Sequence, residues 1–276
     1  MSNDWVTVSL RCPPEWRDVL IAELADKGYD LFQETDEGFI TCMMAKKYVE
    51  RDIDCLIKKY DFADATFTSH HVKRENWNQL WESNYEPVVV DDQVVVRAPF
   101  HPFQPDIPID ITLQPRMSFG TGHHETTRLM LQALLKMDLK GKYIADAGCG
   151  TGVLIILSGK LGATDLTAFD IDSWSVNNSQ ENFQKNNIQC HLLHGDIRVV
   201  DKSMKFDVLL ANINKNVLLH DLPAFASHLA IHGKTVLSGF YSRDLPEITQ
   251  QAERLGLHNS FSVEENGWIA VCFSKK

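Results

Sequence analysis

Mid-chain, the sequence reads Asp146-Ala147-Gly148-Cys149-Gly150-Thr151-Gly152. A short apolar run of strand character, residues 143–146, precedes this glycine-rich segment, and an apolar run of helical length, residues 153–161, follows it. Glycine allows positive φ and lets a ligand approach the main chain closely. The segment therefore predicts a strand, a tight turn that binds a ligand, and a helix.

Beyond this turn, runs of strand character alternate with runs of helical character. Strands are predicted at residues 166–170, 190–193, 206–211 and 235–238, and helices at residues 174–186, 217–229 and 244–255. Such alternation is typical of a parallel sheet with helices on both faces. Two final strand-like runs flank Asn266-Gly267, which is a strong hairpin signal. The pattern predicts an α/β, Rossmann-like domain over residues 96–276 that ends in a β-hairpin.

The N-terminal part of the chain predicts a separate, small α+β domain. Its runs follow the order β-α-β-β-α-β over residues 1–73, which is the ferredoxin-like arrangement. A polar and aromatic run that includes Trp77 and Trp81 predicts a short connecting helix within a linker, residues 74–95. Prolines then punctuate residues 99–108, which are expected to be irregular.

The amino-acid composition limits the kinds of molecule that the protein is expected to bind. The 276 residues include 27 Lys and Arg against 37 Asp and Glu, a formal net charge of −10. That balance disfavours direct nucleic-acid binding and suits a small molecule or a basic protein. The six cysteines form no CxxC pair, and the chain shows no signal peptide and no apolar run long enough for a membrane span. We therefore expect a cytoplasmic protein without a membrane segment.

Four consecutive predicted strands end at, or just before, a carboxyl or amide side chain. These residues are Asp146, Asp170, Asp196 and Asn212. In an open parallel sheet the carboxyl ends of the strands border one crevice, so the four groups are expected around one ligand. Asp170 is favoured over Asp172 as the acid that accepts ribose hydroxyls, because it directly follows an apolar strand. Asp196 is expected either to face an adenine amino group or simply to cap a helix.

The spacing of the glycines bears on the kind of ligand. A dinucleotide site uses G-x-G-x-x-G and directs a helix start at a pyrophosphate, whereas this turn has glycine at every second residue and an acid before it. S-adenosylmethionine has no pyrophosphate but carries an ammonium and a sulfonium group, which an acid suits. The pattern thus favours S-adenosylmethionine, bound near Asp146, Gly148 and Gly150.

Upstream, a second distinctive segment reads Phe119-Gly120-Thr121-Gly122-His123-His124-Glu125-Thr126-Thr127. Thr126 or Thr127 is expected to cap the helix that follows. The adjacent histidines have neither a nearby cysteine nor His-x-x-x-His spacing, so no metal site is predicted. A general-base role for His123, His124 or Glu125 is the weaker of the alternatives considered for this segment.

Taken in order, the Phe119–Thr127 segment, the glycine turn, Phe169-Asp170-Ile171-Asp172 and Ala211-Asn212-Ile213 resemble the PrmA family, the methyltransferases of ribosomal protein L11. The resemblance implies a class I methyltransferase domain that uses S-adenosylmethionine, with Thr127, Gly148, Asp170 and Asn212 at the cofactor. It also implies that Asn212 lies beside the incoming amine. The small N-terminal domain would recognise the substrate, a basic large-subunit ribosomal protein, and lysine or N-terminal amines would be methylated.

Two departures from the family pattern border the expected site. The family usually has Thr and Pro at the positions of His123 and Glu125, and an apolar residue where this chain has Asn214-Lys215. They leave the substrate range and the number of methyl groups open. Three alternatives also stay open: a methyltransferase of this fold that acts on RNA or a small molecule, a nicotinamide-dependent oxidoreductase, and a binding module without activity.

Overall fold

The structure is a computed structural model of the chain and describes residues 5–60, 65–72, 85–116 and 118–276. The chain divides into two compact units, Met1–Asn84 and Tyr85–Lys276. Most of the predicted connecting helix, including Trp77 and Trp81, lies outside the described residues, so the predicted domain limits and linker stay predictions. No helix in the described ranges is both long and apolar enough to cross a membrane.

The smaller unit contains six elements in the predicted order: β1 (Trp5–Arg11), α1 (Arg17–Asp26), β2 (Asp30–Thr35), β3 (Gly38–Met44), α2 (Glu50–Lys59) and β4 (Thr66–Val72). The strands form an antiparallel sheet in the order β2-β3-β1-β4. Alternate residues of β1, namely Val6, Val8 and Leu10, are buried in one core with Leu20 and Ile53 of the two helices. The ferredoxin-like prediction is confirmed.

The larger unit begins with three short strands, β5 (Val88–Val90), β6 (Val94–Arg97) and β7 (Ile109–Thr112), which form a small mixed sheet. Strand β7 was not predicted, since the prolines before it indicated only irregular chain. It pairs with β6 in parallel, and its alternating sequence Ile109-Asp110-Ile111-Thr112 is typical of a strand, but the prolines just before it drew the prediction toward irregular chain.

The remaining elements of this unit are α3 (Glu125–Leu135), β8 (Tyr143–Ala147), α4 (Val153–Lys160), β9 (Asp165–Asp170), α5 (Ser173–Lys185), β10 (His191–His194), β11 (Phe206–Asn212), α6 (Lys215–His228), β12 (Leu229–Tyr241), α7 (Leu245–Arg254), β13 (Leu257–Glu265) and β14 (Trp268–Lys275). The seven strands are ordered β10-β9-β8-β11-β12-β14-β13. The first five are parallel, and β14 pairs antiparallel with both β12 and β13. The predicted Rossmann-like sheet with a terminal hairpin is confirmed.

Buried apolar side chains cover both faces of this sheet with the period of two that strands impose. Ile144 and Leu210 belong to the core cluster that includes α3 and α4, whereas Ala145, Leu209 and Ala211 belong to the cluster that includes α6 and α7. Burying each large apolar side chain contributes about 1.5–3 kcal/mol. The double core fixes β8 and β11 side by side, which aligns their carboxyl ends.

Candidate active site

The turn after β8 requires glycine at the positions nearest the strand end. Gly148 and Gly150 have φ values of 71° and 55°, which other residues rarely adopt. A Cβ at residue 148 would lie 2.6 Å from Cγ2 of Ile213, and one at residue 150 would lie 2.3 Å from the carbonyl oxygen of Phe119. The absence of side chains therefore lets the turn sit between two neighbouring segments.

Within this turn, the five N–H groups of residues 148–152 all donate to acceptors inside the protein. Gly148 and Cys149 donate to the carbonyl of Phe169 at 2.9 and 3.2 Å, and Gly152 donates to the carbonyl of Cys149 at 2.8 Å. The other two donors, Gly150 and Thr151, bond to Asp170 Oδ2 and to the Phe119 carbonyl, each at 2.9 Å. A phosphate-binding turn points its N–H groups at the ligand, and this turn does not.

Asp146 is the most enclosed acid at this edge of the sheet. Its side chain is 1% exposed, and neither carboxylate oxygen has a hydrogen-bond partner among the described residues. Burial, and then the nearby charge of Asp170, raise the pKa of Asp146 to about 8. Leaving a buried polar group unpaired costs about 1–3 kcal/mol, so this position calls for a donor or cation from a ligand or water.

Asp170 and Asp172 have different roles in the geometry. One oxygen of Asp170 accepts the Gly150 N–H, and the other accepts the Asp172 N–H at 2.9 Å. Asp172 instead caps α5 by accepting the Trp174 N–H at 3.0 Å. The strand-ending acid therefore faces the glycine turn, whereas its rival is engaged at a helix start.

A third acid, Asp196, caps a helical turn, which is one of the two interpretations that the sequence left open; its place at an adenine stays a prediction. It caps a short 3-10 turn by accepting the Arg198 N–H at 2.9 Å, and it is ion-paired with the Arg198 guanidinium. These two interactions lower the pKa of Asp196 to about 2. Asp196 also lines a pocket together with Gly148 and Asp170.

Other walls of that pocket were not anticipated. They include Ile171, Ile213, Val217, Asp221 and Phe225. The last three residues of this set lie four apart along the chain and therefore on one face of α6, a spacing that the sequence contains but that does not say what the face borders. The pocket thus has both acidic and apolar side chains in its lining.

Asn212 and Thr127 each hold an oxygen that is buried and unpartnered in the described part of the chain: Oδ1 of Asn212 and Oγ1 of Thr127. Asn212 ends β11, one residue beyond the pairing of Ala211 with Ala147. Thr127 lies in the first turn of α3. Asp146, Thr127 and Asn212 do not line the pocket. Ala147, next to Asp146, and Ile213, next to Asn212, do line it.

The cap of α3 corrects one prediction. His124, and not Thr126 or Thr127, is the cap: its Nδ1 accepts the Thr126 N–H at 3.2 Å. Histidine is not among the residues usually favoured at this position, so the local rule selected a threonine. His124 is therefore engaged at a helix start.

The remaining base candidates of this segment are also engaged. Nε2 of His123 lies 3.0 Å from the Glu86 carbonyl oxygen, and Glu125 accepts from Asn266 Nδ2 at 3.3 Å. Backbone hydrogen bonding, and then Asn266, lower the pKa of Glu125. A stabilised carboxylate is a weaker base, which argues against this alternative.

The departures at Asn214 and Lys215 have structural explanations. Asn214 caps α6 by accepting the Val217 N–H at 3.2 Å. Lys215 lies 3.0 Å from Asp244 and 3.1 Å from Glu247, which ties the start of α6 to α7.

Across the described residues, no group of three or more His, Cys, Asp or Glu side chains is arranged to hold a metal ion.

Comparison with known proteins supplies the family context. The model of the ribosomal protein L11 methyltransferase (PrmA) family matches residues 21–276. The chain is 42% identical over 265 residues to the ribosomal protein L11 methyltransferase of Porphyromonas gingivalis, covering 93% of this chain and 90% of that protein. It is 37% identical to that of Phocaeicola vulgatus, covering 96% of each. The crystal structure of a ribosomal protein L11 methylase from Lactobacillus delbrueckii subsp. bulgaricus matches with a TM-score of 0.65 and 29% identity, covering 70% of this chain and all of that one.

Proposed function

Because the chain belongs to the ribosomal protein L11 methyltransferase (PrmA) family, we propose that its substrate is ribosomal protein L11, a basic protein of the large subunit. The chain is an S-adenosylmethionine-dependent protein methyltransferase with a class I fold. The groups methylated would be amines, either lysine side chains or the N-terminal amine. The roles assigned to individual residues in the following paragraphs belong to the same proposal.

The proposed cofactor site rests on the glycine turn, because this turn offers no N–H group to a phosphate and is bordered by acidic residues. All five of its N–H groups donate within the protein, and both Asp146 and Asp170 border it. A cofactor with a pyrophosphate would meet a turn whose five N–H groups are already engaged, next to two carboxyl groups. S-adenosylmethionine, with its ammonium and sulfonium, fits this donor set and charge.

Each acid then has a partner on the cofactor. Asp170, held in place by two backbone N–H groups, retains lone pairs that can accept the ribose hydroxyls. Asp196 would accept from the adenine amino group at the far side of the pocket, next to the apolar wall of Ile171. The Asp146 carboxylate would pair with the ammonium group. The Thr127 hydroxyl, which has no partner in the described residues, would form a hydrogen bond at the same end of the cofactor.

S-adenosylmethionine supplies an electrophilic methyl group on a sulfonium, and the protein's task is to present a neutral amine to it. A lysine amine with a pKa near 10.4 is neutral only about once in 10³ molecules at pH 7, whereas a chain-terminal amine near 8 loses its proton far more readily. Since Glu125 is a stabilised carboxylate, we assign proton removal to solvent before the amine enters. The unpartnered Oδ1 of Asn212 would then accept a hydrogen bond from the neutral amine. Alignment of this kind can contribute about 7–11 kcal/mol.

The smaller unit is proposed to recognise the substrate. Met1–Asn84 contains 16 acidic and 10 basic residues, a surplus of negative charge suited to a basic ribosomal protein. Its ferredoxin-like fold adds a surface beyond what a small-molecule methyltransferase needs. This favours a macromolecular substrate over a small one, and the negative charge favours protein over RNA.

Transfer of labelled methyl groups tests the substrate. The purified chain is incubated with methyl-labelled S-adenosylmethionine and either ribosomal protein L11 or ribosomal RNA, and the products are analysed by mass spectrometry. We expect label on amines of the protein, with one labelled-methyl mass increment for each methyl group added. Label on the RNA would replace this proposal with an RNA methyltransferase, and cofactor binding without transfer to either would indicate a binding module.

A further inference from the structure

Helix α5 carries a buried polar face, which is unusual for a helix packed on a sheet. Asn178, Ser179, Asn182 and Asn186 are all buried, and the three asparagines lie four residues apart on one side of the helix. Asparagine is seldom fully buried unless its amide is hydrogen-bonded. The partners of these amides therefore show what the face is for.

Two segments lie against this face. The first, which we call the strap, comprises residues 112–116 and 118–121 and ends in Phe119-Gly120-Thr121. Asn186 forms two hydrogen bonds to one residue of the strap: its Oδ1 accepts from Thr112 N at 3.0 Å, and its Nδ2 donates to Thr112 O at 2.7 Å. The second segment is the glycine turn, where Ser179 Oγ donates to Gly150 O at 2.8 Å.

Asn182 binds the strap and the turn at the same time. Its Oδ1 accepts the Gln114 N–H at 2.7 Å, and its Nδ2 donates to the Thr151 carbonyl at 2.9 Å. Thr151 also bonds to the strap directly: its N–H donates to Phe119 O at 2.9 Å, and its hydroxyl donates to Gly120 O at 2.6 Å. Thr151 is thus held by the helix at its carbonyl and by the strap at its N–H and hydroxyl.

We propose that Asn182 is a positioning residue of the cofactor site: it fixes the peptide between Thr151 and Gly152 and thereby sets the backbone of the glycine turn against the strap. The inference rests on the proposed function, in that this turn is taken to hold S-adenosylmethionine. A turn whose backbone is fixed before binding pays less ordering entropy when the ligand arrives. Loss of the Asn182 amide should therefore weaken cofactor binding even though the side chain never touches the cofactor.

The chain offers a matched control one helical turn away. Asn186→Ala removes an asparagine of the same helix face that also binds the strap, but its side-chain hydrogen bonds go to Thr112 and to the Asn182 carbonyl rather than to the glycine turn. Binding of S-adenosylmethionine to the full chain is measured by calorimetry, and melting temperature is measured without it. We expect Asn182→Ala to weaken binding about tenfold, the effect of roughly one net hydrogen bond, and Asn186→Ala to change it less than about twofold at a similar loss of melting temperature.

Ser179→Ala provides a second variant that keeps Asn182 and releases the turn at Gly150, and it should weaken binding in the same direction. Hydrogen exchange of the cofactor-free protein should also quicken over residues 148–153 in Asn182→Ala and not in Asn186→Ala. Equal weakening by Asn182→Ala and Asn186→Ala, or normal binding by Asn182→Ala and Ser179→Ala, would overturn the inference alone. Absence of binding by the wild-type chain would overturn it together with the proposed function.

Discussion

At the scale of single residues, Asp146 is the acid whose surroundings depend most on the fold. The side chain is enclosed, its carboxyl oxygens are unpartnered in the described part of the chain, and its pKa is raised to about 8. The identity of this acid was predictable because it ends a strand before a glycine turn. Its protonation was not, since burial and the distance to Asp170 depend on the folded structure.

The raised pKa gives a pH dependence with a definite sign. In the cofactor-free protein Asp146 keeps its proton between its ordinary value of 3.8 and about 8, so its contribution to stability falls as the pH rises through that range. A cationic ligand favours the ionised form, so binding near pH 7 should release about one proton. Calorimetry in two buffers of different ionisation enthalpy measures this release. Asp146→Asn should abolish it, and equal heats in both buffers for the wild type would contradict the assignment.

Asn212 offers a test of catalysis that is separable from folding. Asn212→Ala removes an unpartnered buried oxygen, so the melting temperature should hold while the methylation rate falls roughly ten- to hundredfold. Asn214→Ala, two residues on, is the control: it removes the cap of α6 and should cost about 1 kcal/mol of stability with little change in rate. A wild-type rate in Asn212→Ala would remove this residue from the mechanism.

At the scale of elements, local pattern predicted most of the sheet and the site at its edge. The strands and helices after residue 140 have strong periodicity, and the acids at their carboxyl ends follow from topology. Two features escaped prediction. Strand β7 follows a run of prolines and pairs with β6, and β12 extends from Leu229 to Tyr241, although only residues 235–238 were expected, because it pairs with both β11 and β14. The asparagine face of α5 is visible as a spacing of four, but the turn and strap that it binds are not.

Gly141, outside the glycine turn, and Gly148, within it, have nearly the same backbone conformation. Comparing them distinguishes the cost of backbone strain from the cost of a steric clash. Gly141 and Gly148 have φ of 70° and 71°, but a Cβ at Gly141 meets nothing within 4 Å, whereas one at Gly148 would clash with Ile213. Gly141→Ala should cost about 1 kcal/mol of stability and leave cofactor affinity unchanged. Gly148→Ala should cost about 1–3 kcal/mol more and weaken binding at least about tenfold. Denaturant unfolding and calorimetry measure both, and indistinguishable variants would show that the contact with Ile213 is unimportant.

At the scale of the whole molecule, charge distinguishes the substrate from the cofactor. The net charge of −10 would draw a basic protein toward the enzyme over several ångströms of solvent, whereas the residues proposed to bind the cofactor, such as Asp146 and Thr127, are buried. The rate of methylation of ribosomal protein L11 at limiting substrate should therefore fall as salt is raised from about 50 to 300 mM, with cofactor affinity nearly constant. Steady-state kinetics and calorimetry in the same buffers measure the two effects. A salt-independent rate would count against electrostatic steering of this partner.

The engaged N–H groups of the glycine turn also have a consequence for other adenine nucleotides present in solution. ATP and NAD carry the same adenosine as S-adenosylmethionine, and their sugar and base would suit the same apolar walls. Their phosphate chains, however, would arrive at a turn whose N–H groups already donate to Phe169, Asp170, Phe119 and Cys149. Discrimination against abundant adenine nucleotides is thus inherent in the main chain, and millimolar ATP should leave methyl transfer uninhibited.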